Sequence, residues 1–232
     1  MKEIAHPPCE VLKEIFTTKQ VLLPSGERKR TSAGIDEAHA WALYNVILKH
    51  KPKTVIEIGM AQGISTLSIL CALSQTGGQL ISIDPYFTWT EARDAALYSI
   101  HRAGFSSFHT HIEKASEIAL PKLLADGLKI GAAYIDGDHH YDHVFIDFFY
   151  LDLMLTPGGV IGFNNAGWPD VFRVIRYLQK HHPFEELDVG LNPDYRARNP
   201  ILSLFRRIMR MPRQDRYYMK SEVHTALPGS GA

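Results

Sequence analysis

From residue 35 onward, helix-length segments alternate with short apolar runs, and this alternation constrains the fold more than any other feature of the chain. Five runs have the length and composition of strands: Thr54–Ile58, Leu80–Ile83, Ala132–Ile135, Gly159–Phe163 and, more weakly, Phe105–Ile112. Five segments have helical length: Ile35–Lys49, Ser65–Ser74, Glu91–Ala103, Tyr141–Leu155 and Trp168–His181. This order predicts βαβ units, and therefore a doubly wound α/β domain built on a mostly parallel sheet.

The composition is that of an ordinary globular chain of 232 residues, 45% of them hydrophobic, with 25 basic and 25 acidic side chains. Because these charges balance, no whole-chain field favours nucleic acid or an acidic membrane surface. Cys9 and Cys71 stand far apart, which excludes a disulfide scaffold and a cysteine zinc module. The first residues lack the apolar core of a secretory signal and no run is apolar enough to cross a bilayer, so we expect a cytoplasmic protein with no membrane span.

The two ends of the chain are less patterned than its middle. Residues 1–30 are predicted to form an N-terminal extension or lid, residues 31–207 the folded domain, and residues 208–232 a basic C-terminal tail. Phe184–Val189 and Ile201–Phe205 are predicted to pair as a closing antiparallel hairpin. The basic stretch favours a solvated surface over a patch for an acidic substrate, a membrane or RNA; its members are Arg206, Arg207, Arg210, Arg213 and Arg216, with Tyr217 and Tyr218 beside them.

A glycine-containing loop follows the first of these strands and is the most informative motif. Gly59 and Gly63 are spaced G-x-x-x-G, which is neither the dinucleotide fingerprint nor a P-loop. The loop leads into a helix whose N-terminal N–H groups would face an anionic or carboxylate-bearing ligand, and Ser65 would cap that helix or join the contacts. Asp84 ends the next strand, where a carboxylate accepts hydrogen bonds from ribose hydroxyls. The pair predicts a ribose-bearing cofactor, the alternative being a plain turn and a helix cap.

Four segments together resemble class I S-adenosylmethionine-dependent methyltransferases over about residues 31–178. They are Glu57-Ile-Gly-Met-Ala-Gln-Gly, Ser-Ile-Asp84, Ile-Asp136-Gly-Asp-His-His-Tyr and Pro157-Gly-Gly-Val-Ile-Gly-Phe-Asn-Asn. The resemblance is closest to small O-methyltransferases of the catechol type and to those acting on sugars or natural products, the domain 24-like group. It implies a Rossmann-like fold whose seven-stranded, mostly parallel sheet has an antiparallel last strand.

The same resemblance implies how S-adenosylmethionine would be held. The methionine portion falls to Gly59, Gly63 and Ser65, the ribose to Asp84, and the adenine edge to Ala115 and Ser116. Glu57 would organise the glycine loop, Asp136 would close the site at the next strand end, and Ala33 would belong to a lid. The acceptor would be a small molecule bearing a hydroxyl group, with Trp89, Tyr141 and Trp168 as aromatic lining.

His139 is the predicted general base. It follows the strand-end residue Asp136, at a position where catechol-type enzymes place a catalytic lysine, and an imidazole titrates near neutral pH. Asp138 would orient His139 or replace it. The alternative is that His139 and His140 only cap the following helix.

A divalent cation is the remaining implication of the resemblance. Catechol-type enzymes bind one through the strand-end aspartate and an acidic pair, and here the candidate ligands are Asp136, Asn164 and Asn165. Because an amide carries no charge, we expect magnesium to bind weakly. Two other functions stay open: a metal-dependent hydrolase using Asp136 to His140, and a non-catalytic S-adenosylmethionine-binding relative. A homo-oligomer is also open.

Overall fold

The computed structural model describes residues 7–191, 201, 204 and 215–221. Its helices are α1 Glu10–Thr18, α2 Glu37–His50, α3 Ile64–Thr76, α4 Thr90–Arg102, α5 Ser116–Ala125, α6 Tyr141–Met154 and α7 Pro169–His181. Its strands are β1 Gln20–Leu22, β2 Arg28–Arg30, β3 Thr54–Ile58, β4 Gln79–Ile83, β5 His109–Ile112, β6 Ile130–Ile135, β7 Leu155–Phe163, β8 Phe184–Leu187 and β9 Arg216–Lys220. The predicted strand and helix pattern between residues 35 and 181 is confirmed within a few residues.

Seven strands form the main sheet in the order β5-β4-β3-β6-β7-β9-β8. The pairs from β5 to β7 are parallel, whereas β9 is antiparallel to both of its neighbours. This confirms the predicted Rossmann-like sheet with an antiparallel last strand. The chain runs outward from β3 to β5 and then returns to the other side of β3 as β6. The crevice at the carboxyl ends of β3 and β6 is therefore the switch point where such sheets bind ligands.

Both faces of the sheet are buried, which explains the continuous apolar composition of its central strands. Helices α1 to α4 contribute to one hydrophobic cluster, and helices α5 to α7 contribute to the other. In α6 Val144, Phe148 and Leu151, which are spaced four and three residues apart and so share one face of the helix, are all buried. No helix in the described residues is long and apolar enough to span a bilayer.

The predicted closing hairpin is wrong in one of its two strands. Ile201 and Leu204 are helical, and the partner of β8 is β9, in the register Phe184↔Lys220 to Leu187↔Tyr217. Tyr217 and Tyr218 are completely buried, one in each hydrophobic cluster. Residues 216–220 of the predicted basic tail therefore belong to the sheet and are not a solvated surface.

The charges of β9 are matched inside the fold, which is why a basic strand is tolerated there. Arg216 donates from Nε to Glu186 Oε1 on β8 at 2.6 Å. Lys220 Nζ lies 2.9 Å from Asp152 Oδ1 and donates to the Leu155 carbonyl at 3.2 Å. The arginines at 206, 207, 210 and 213 lie outside the described residues.

The N-terminal residues are better ordered than their pattern suggests. Helix α1 buries Leu12 and Ile15 in the core, and β1 and β2 form a hairpin where a loop was predicted. Helix α5 was also absent from the prediction, and residues 106–108 form a 3₁₀ turn before β5 begins at His109.

Candidate active site

A cavity of about 860 Å³ opens at the carboxyl ends of the parallel strands, at the switch point between β3 and β6. Its size is typical of small-molecule and cofactor sites. Six predicted cofactor residues line it: Gly59, Ser65, Asp84, Ala115, Ser116 and Asp136. Four further predicted residues line it as well: Asp138, His139, Asn164 and Asn165. The fold therefore brings predicted residues as far apart in the sequence as Gly59 and Asn165 to one crevice.

The loop after β3 is braced by Asp84. Asp84 Oδ2 accepts hydrogen bonds from the backbone N–H groups of Met60 at 2.9 Å and Ala61 at 3.0 Å. Gly59 has φ +85°, and a Cβ built on it would lie 2.2 Å from the carbonyl oxygen of Asp136. Glycine is therefore required here because the backbones of two strand ends nearly touch. The loop and the carboxylate form one rigid wall of the cavity.

Gly63 does not line the cavity. It caps α3 with φ +81°, and an added Cβ would lie 3.0 Å from the Cβ of Ala96 on α4. This glycine permits the close approach of α3 and α4, and its predicted contact with a cofactor gains no support from its position.

Glu57 also lies behind the loop, where it is fully buried. Its carboxylate accepts hydrogen bonds from three hydroxyls: Ser65 at 2.6 Å, Thr66 at 2.8 Å and Ser82 at 2.7 Å. Burial raises the pKa of Glu57 to about 7, although these donors oppose the shift. The contacts tie β3, β4 and the first turn of α3 together, which is the organising role expected for this residue.

The N-terminal segment closes one side of the cavity. Ala33 and Gly34 line it, and Gln62 in the glycine loop holds the segment by accepting from Ser32 N at 2.9 Å. Gln62 Nε2 also donates to the Arg30 carbonyl at 3.2 Å. Ala33 therefore lies beside the glycine loop, and its part in a lid stays a prediction.

His139 faces the cavity from the loop after β6. Its Nε2 lies 3.2 Å from Asn164 Oδ1 and 3.3 Å from Asn165 Nδ2, and its ring packs 4.9 Å from Trp168. Burial lowers the pKa of His139, although the Asn164 hydrogen bond opposes this, so the imidazole is neutral near pH 7. A neutral imidazole in a partly dry cavity is equipped to accept a proton.

Asp138 does not orient His139. Its Oδ1 accepts from the backbone N–H of His140 at 2.9 Å and also contacts His140 Nδ1. His140 is the N-cap of α6, but its side chain makes no capping hydrogen bond. Pure helix capping by the two histidines is therefore disfavoured, and the groups that orient His139 are the two asparagines.

Asp215 is a cavity residue that the sequence analysis missed. It immediately precedes β9, is buried, and accepts from Tyr134 Oη at 2.5 Å and from Asn164 Nδ2 at 3.0 Å. Burial raises the pKa of Asp215 to about 6, so the carboxyl is ionised at neutral pH and above. No local motif marks it, since its partners are 51 and 81 positions away.

His39, on the first turn of α2, is a second missed residue. Its Nδ1 lies 2.7 Å from Asp36 Oδ1, and both residues line the cavity. Its Nε2 is buried without a hydrogen-bond partner in the part of the chain that the structure describes. Trp89 and Trp168 line the cavity as expected, whereas Tyr141 instead packs against Phe145 on α6.

The predicted metal ligands do not fit a divalent cation. The Asn164 amide contacts His139 through its oxygen and Asp215 through its nitrogen, so neither end is available. Burial, together with the charges of Asp215 and Glu57, raises the pKa of Asp136 well above its ordinary value, which weakens this carboxyl as an anionic ligand. Within the described residues, no group of three or more His, Cys, Asp or Glu side chains could hold a metal ion. The described residues therefore do not form the metal site that the hydrolase alternative requires.

Comparison with known proteins gives one family model that matches the middle of the chain. Residues 56–166 match the model of a family described as Methyltransferase domain. No curated protein matches the sequence.

Solved structures share the fold at low sequence identity. An O-methyltransferase from Bacillus cereus, in complex with SAH, is 16% identical with a TM-score of 0.63, over 77% of this chain and 82% of that chain. The O-methyltransferase TomG from Streptomyces achromogenes, in complex with SAM, is 17% identical with a TM-score of 0.62, over 83% of each chain. The SAH-bound methyltransferase PaMTH1 from Podospora anserina is 14% identical with a TM-score of 0.63, over 92% and 88%. Residues 56–166 thus match a methyltransferase domain, and the chain has the class I S-adenosylmethionine-dependent methyltransferase fold that its motifs predict.

Proposed function

We propose that this protein transfers a methyl group from S-adenosylmethionine to a hydroxyl group of a small-molecule acceptor. The observation that carries the proposal is that the Asp84-braced loop and the neutral imidazole of His139 open into one cavity. Two of the structural neighbours are O-methyltransferases by name, which supports oxygen as the methylated atom. A cation-dependent mechanism is not part of the proposal, because the described side chains do not fit a metal.

The cavity residues fit the cofactor. Asp84 offers carboxylate oxygens to the ribose hydroxyls, and the glycine loop lets a ligand approach its backbone closely. Ala115 and Ser116, at the start of α5, lie where the adenine edge is expected. When bound, S-adenosylmethionine supplies a sulfonium-activated methyl group. The protein then has to position the acceptor, exclude water and remove one proton.

His139 is suited to remove that proton. Methylation of a hydroxyl leaves a proton that must pass to a base, and a base with a pKa near or below the working pH is free to accept it. The two asparagines hold the ring in place and Trp168 covers one face of it. An electrically neutral base also avoids placing another negative charge near Asp136 and the buried carboxyl of Asp215.

Calorimetry with S-adenosylhomocysteine tests the cofactor part of the proposal. The wild-type protein should bind it, and Asp84→Ala should weaken binding by about 1 to 3 kcal/mol through loss of hydrogen bonds to the ribose and of the loop brace. Asp94→Ala, on the adjacent helix α4 and outside the cavity, removes a similar charge and should leave affinity unchanged. Absence of heat with the folded wild type would refute the proposal.

The transfer step is tested with radiolabelled S-adenosylmethionine and a panel of phenols, flavonoids and sugars. Methylated products should release the label on cleavage of an aryl or alkyl methyl ether. Binding of S-adenosylhomocysteine with no transfer to any of these acceptors would favour the non-catalytic relative.

A further inference from the structure

A buried chain of hydrogen bonds runs from Asp215 through Asn164 to His139. Asp215 Oδ1 accepts from Asn164 Nδ2 at 3.0 Å, and Asn164 Oδ1 lies 3.2 Å from His139 Nε2. The other carboxylate oxygen of Asp215 accepts from the hydroxyls of Tyr134 at 2.5 Å and Tyr217 at 3.4 Å. Each hydrogen bond that this carboxylate makes within the described residues therefore comes from a donor.

The acceptor oxygen of Asp215 that faces Asn164 determines which way the amide of Asn164 points. An ionised carboxylate only accepts hydrogen bonds, so the neighbouring amide must present its NH₂ group. The amide oxygen is then directed at His139 Nε2, and an amide oxygen only accepts. Nε2 consequently has to carry a proton to satisfy this contact. Asn165 also reaches Nε2, but no hydrogen bond to a carboxylate fixes its amide among the described contacts.

We propose that Asp215 is a positioning residue that, acting through Asn164, keeps the ring proton of His139 on Nε2 and leaves Nδ1 as the basic nitrogen. The inference rests on the proposed function, in which His139 is the base. In the transfer step the acceptor O–H bond breaks, its proton goes to Nδ1, and the freed electron pair of the oxygen bonds to the methyl carbon as the bond from that carbon to sulfur breaks. The resulting imidazolium is stabilised through the same chain. Its Nε2–H still donates to Asn164 Oδ1, and the Asn164 amide in turn donates to Asp215.

This arrangement is more than a structural tie between β7 and β9. Strand β9 is already fastened at its other end by Lys220, whose Nζ lies 2.9 Å from Asp152 Oδ1. Along β9 the ladder to β7 runs from Met219 to Arg216. A buried carboxylate is costly to add for stability alone, since burial raises its pKa and opposes its charge. A directing role for the amide explains why an ionisable group stands here.

Nitrogen NMR of the histidine rings tests the proposal without requiring an acceptor. Protein labelled with ¹⁵N in histidine is examined at pH 7.5, above the pKa of about 6 of Asp215, and the His139 signals are identified by their loss in His139→Gln. Long-range ¹H–¹⁵N correlations show which nitrogen is protonated. The wild type should carry the proton on Nε2. A proton found on Nδ1 would overturn the proposal before any variant is made.

Variants then distinguish an effect of Asp215 on the His139 tautomer from a general loosening of strand β9. Asp215→Ala should change the tautomer ratio of His139 about fivefold or more toward Nδ1–H, the effect of losing about one hydrogen bond, whereas Asp215→Asn should restore most of the wild-type ratio by accepting from Asn164. Asp152→Asn loosens the same strand and should leave the ratio unchanged. An unchanged ratio in folded Asp215→Ala refutes the directing role.

A second measurement distinguishes this inference from the proposed function. If the wild type has Nε2–H but His139→Gln methylates an acceptor as fast as the wild type, His139 is correctly positioned but is not the base, and the part of the proposal concerning Nδ1 fails. If S-adenosylhomocysteine does not bind, the proposed function fails, while the tautomer result stands by itself.

Discussion

Replacing Asn164 with aspartate would test the buried polar contacts of this site most directly. The two side chains have nearly the same shape, but the substitution puts a carboxylate oxygen in place of Nδ2, which now lies 3.0 Å from Asp215 Oδ1. A donor facing an acceptor becomes two like charges in contact. Asp136, which lines the same cavity, offers no compensating positive charge.

The expected cost follows from that distance. Two unit charges 3 Å apart at an effective dielectric constant of about 20 repel by roughly 5 to 6 kcal/mol. Relaxation to about 4 Å, or retention of one shared proton, would reduce this, so we expect Asn164→Asp to lose about 3 to 5 kcal/mol of unfolding free energy at pH 8.

The loss should depend on pH in a definite direction. Repulsion raises the folded-state pKa of the new carboxyl pair above its value of about 4 in the unfolded chain. Below pH 4 both states hold the protons and the penalty is absent. It grows as the pH rises toward the folded-state pKa, which exceeds the value of about 6 that Asp215 has in the wild type.

Urea unfolding at pH 5 and pH 8 measures this difference. Asn165→Asp is the matched control, because the Asn165 amide faces the ring of His139 and not a carboxylate. Magnesium should recover part of the stability of Asn164→Asp, because the new carboxylate stands beside Asp215 and the two would offer the cation a pair of anionic oxygens. Micromolar magnesium should not stabilise the wild type. Equal stability of Asn164→Asp and wild type at pH 8 without metal would show that Asp215 and residue 164 are not in contact.

Three further outcomes are expected. Gly59→Ala should cost more than about 3 kcal/mol in thermal unfolding, because its Cβ would lie 2.2 Å from a backbone oxygen, whereas Gly127→Ala, with φ +78° and nothing within 4 Å, should cost about 1 kcal/mol. His139→Ala should slow methyl transfer by about 100-fold while leaving the calorimetric affinity for S-adenosylhomocysteine within about twofold. His39→Asn keeps a donor for Asp36 but removes Nε2, so it should lower kcat/KM for the acceptor about tenfold; His182→Asn, which alters a similar Asp–His pair outside the cavity, should not.

The central strands and the cofactor loop were predictable because their chemistry is local. A run such as Thr54–Ile58 is mostly apolar because both faces of its strand are covered, and the glycine after it is required by a contact at that same strand end. Asp84 lies at the end of the neighbouring strand for the same topological reason. Gly63 belongs to the same motif, but a glycine is needed there because Ala96 packs closely against it. A spacing pattern cannot distinguish a glycine required by packing from one required by a ligand.

The C-terminal strand was not predictable from its composition. A basic stretch predicts solvated charges, but the basic residues of β9 are paired. Arg216 forms an ion pair with Glu186 on β8, and Lys220 forms one with Asp152 on α6. Whether Tyr217 is buried depends on the place that β9 takes between β7 and β8, and that place is set by contacts far apart in sequence. Asp215 was missed for the same reason, since its role exists only once β9 has joined the sheet.

The cavity thus divides into two parts of different origin. The cofactor part is built from residues between Gly59 and Ser116, which lie inside the matched family segment 56–166. The opposite part also draws on residues outside that segment: Asp36 and His39 before it, Trp168 and Asp215 after it. A family match on the central segment therefore informs about the methyl donor and much less about the acceptor. Under the proposed function, the acceptor would therefore meet two groups that the family match does not cover. One is His39 Nε2, which has no hydrogen-bond partner among the described residues, and the other is Asp215, which accepts a hydrogen bond from Asn164.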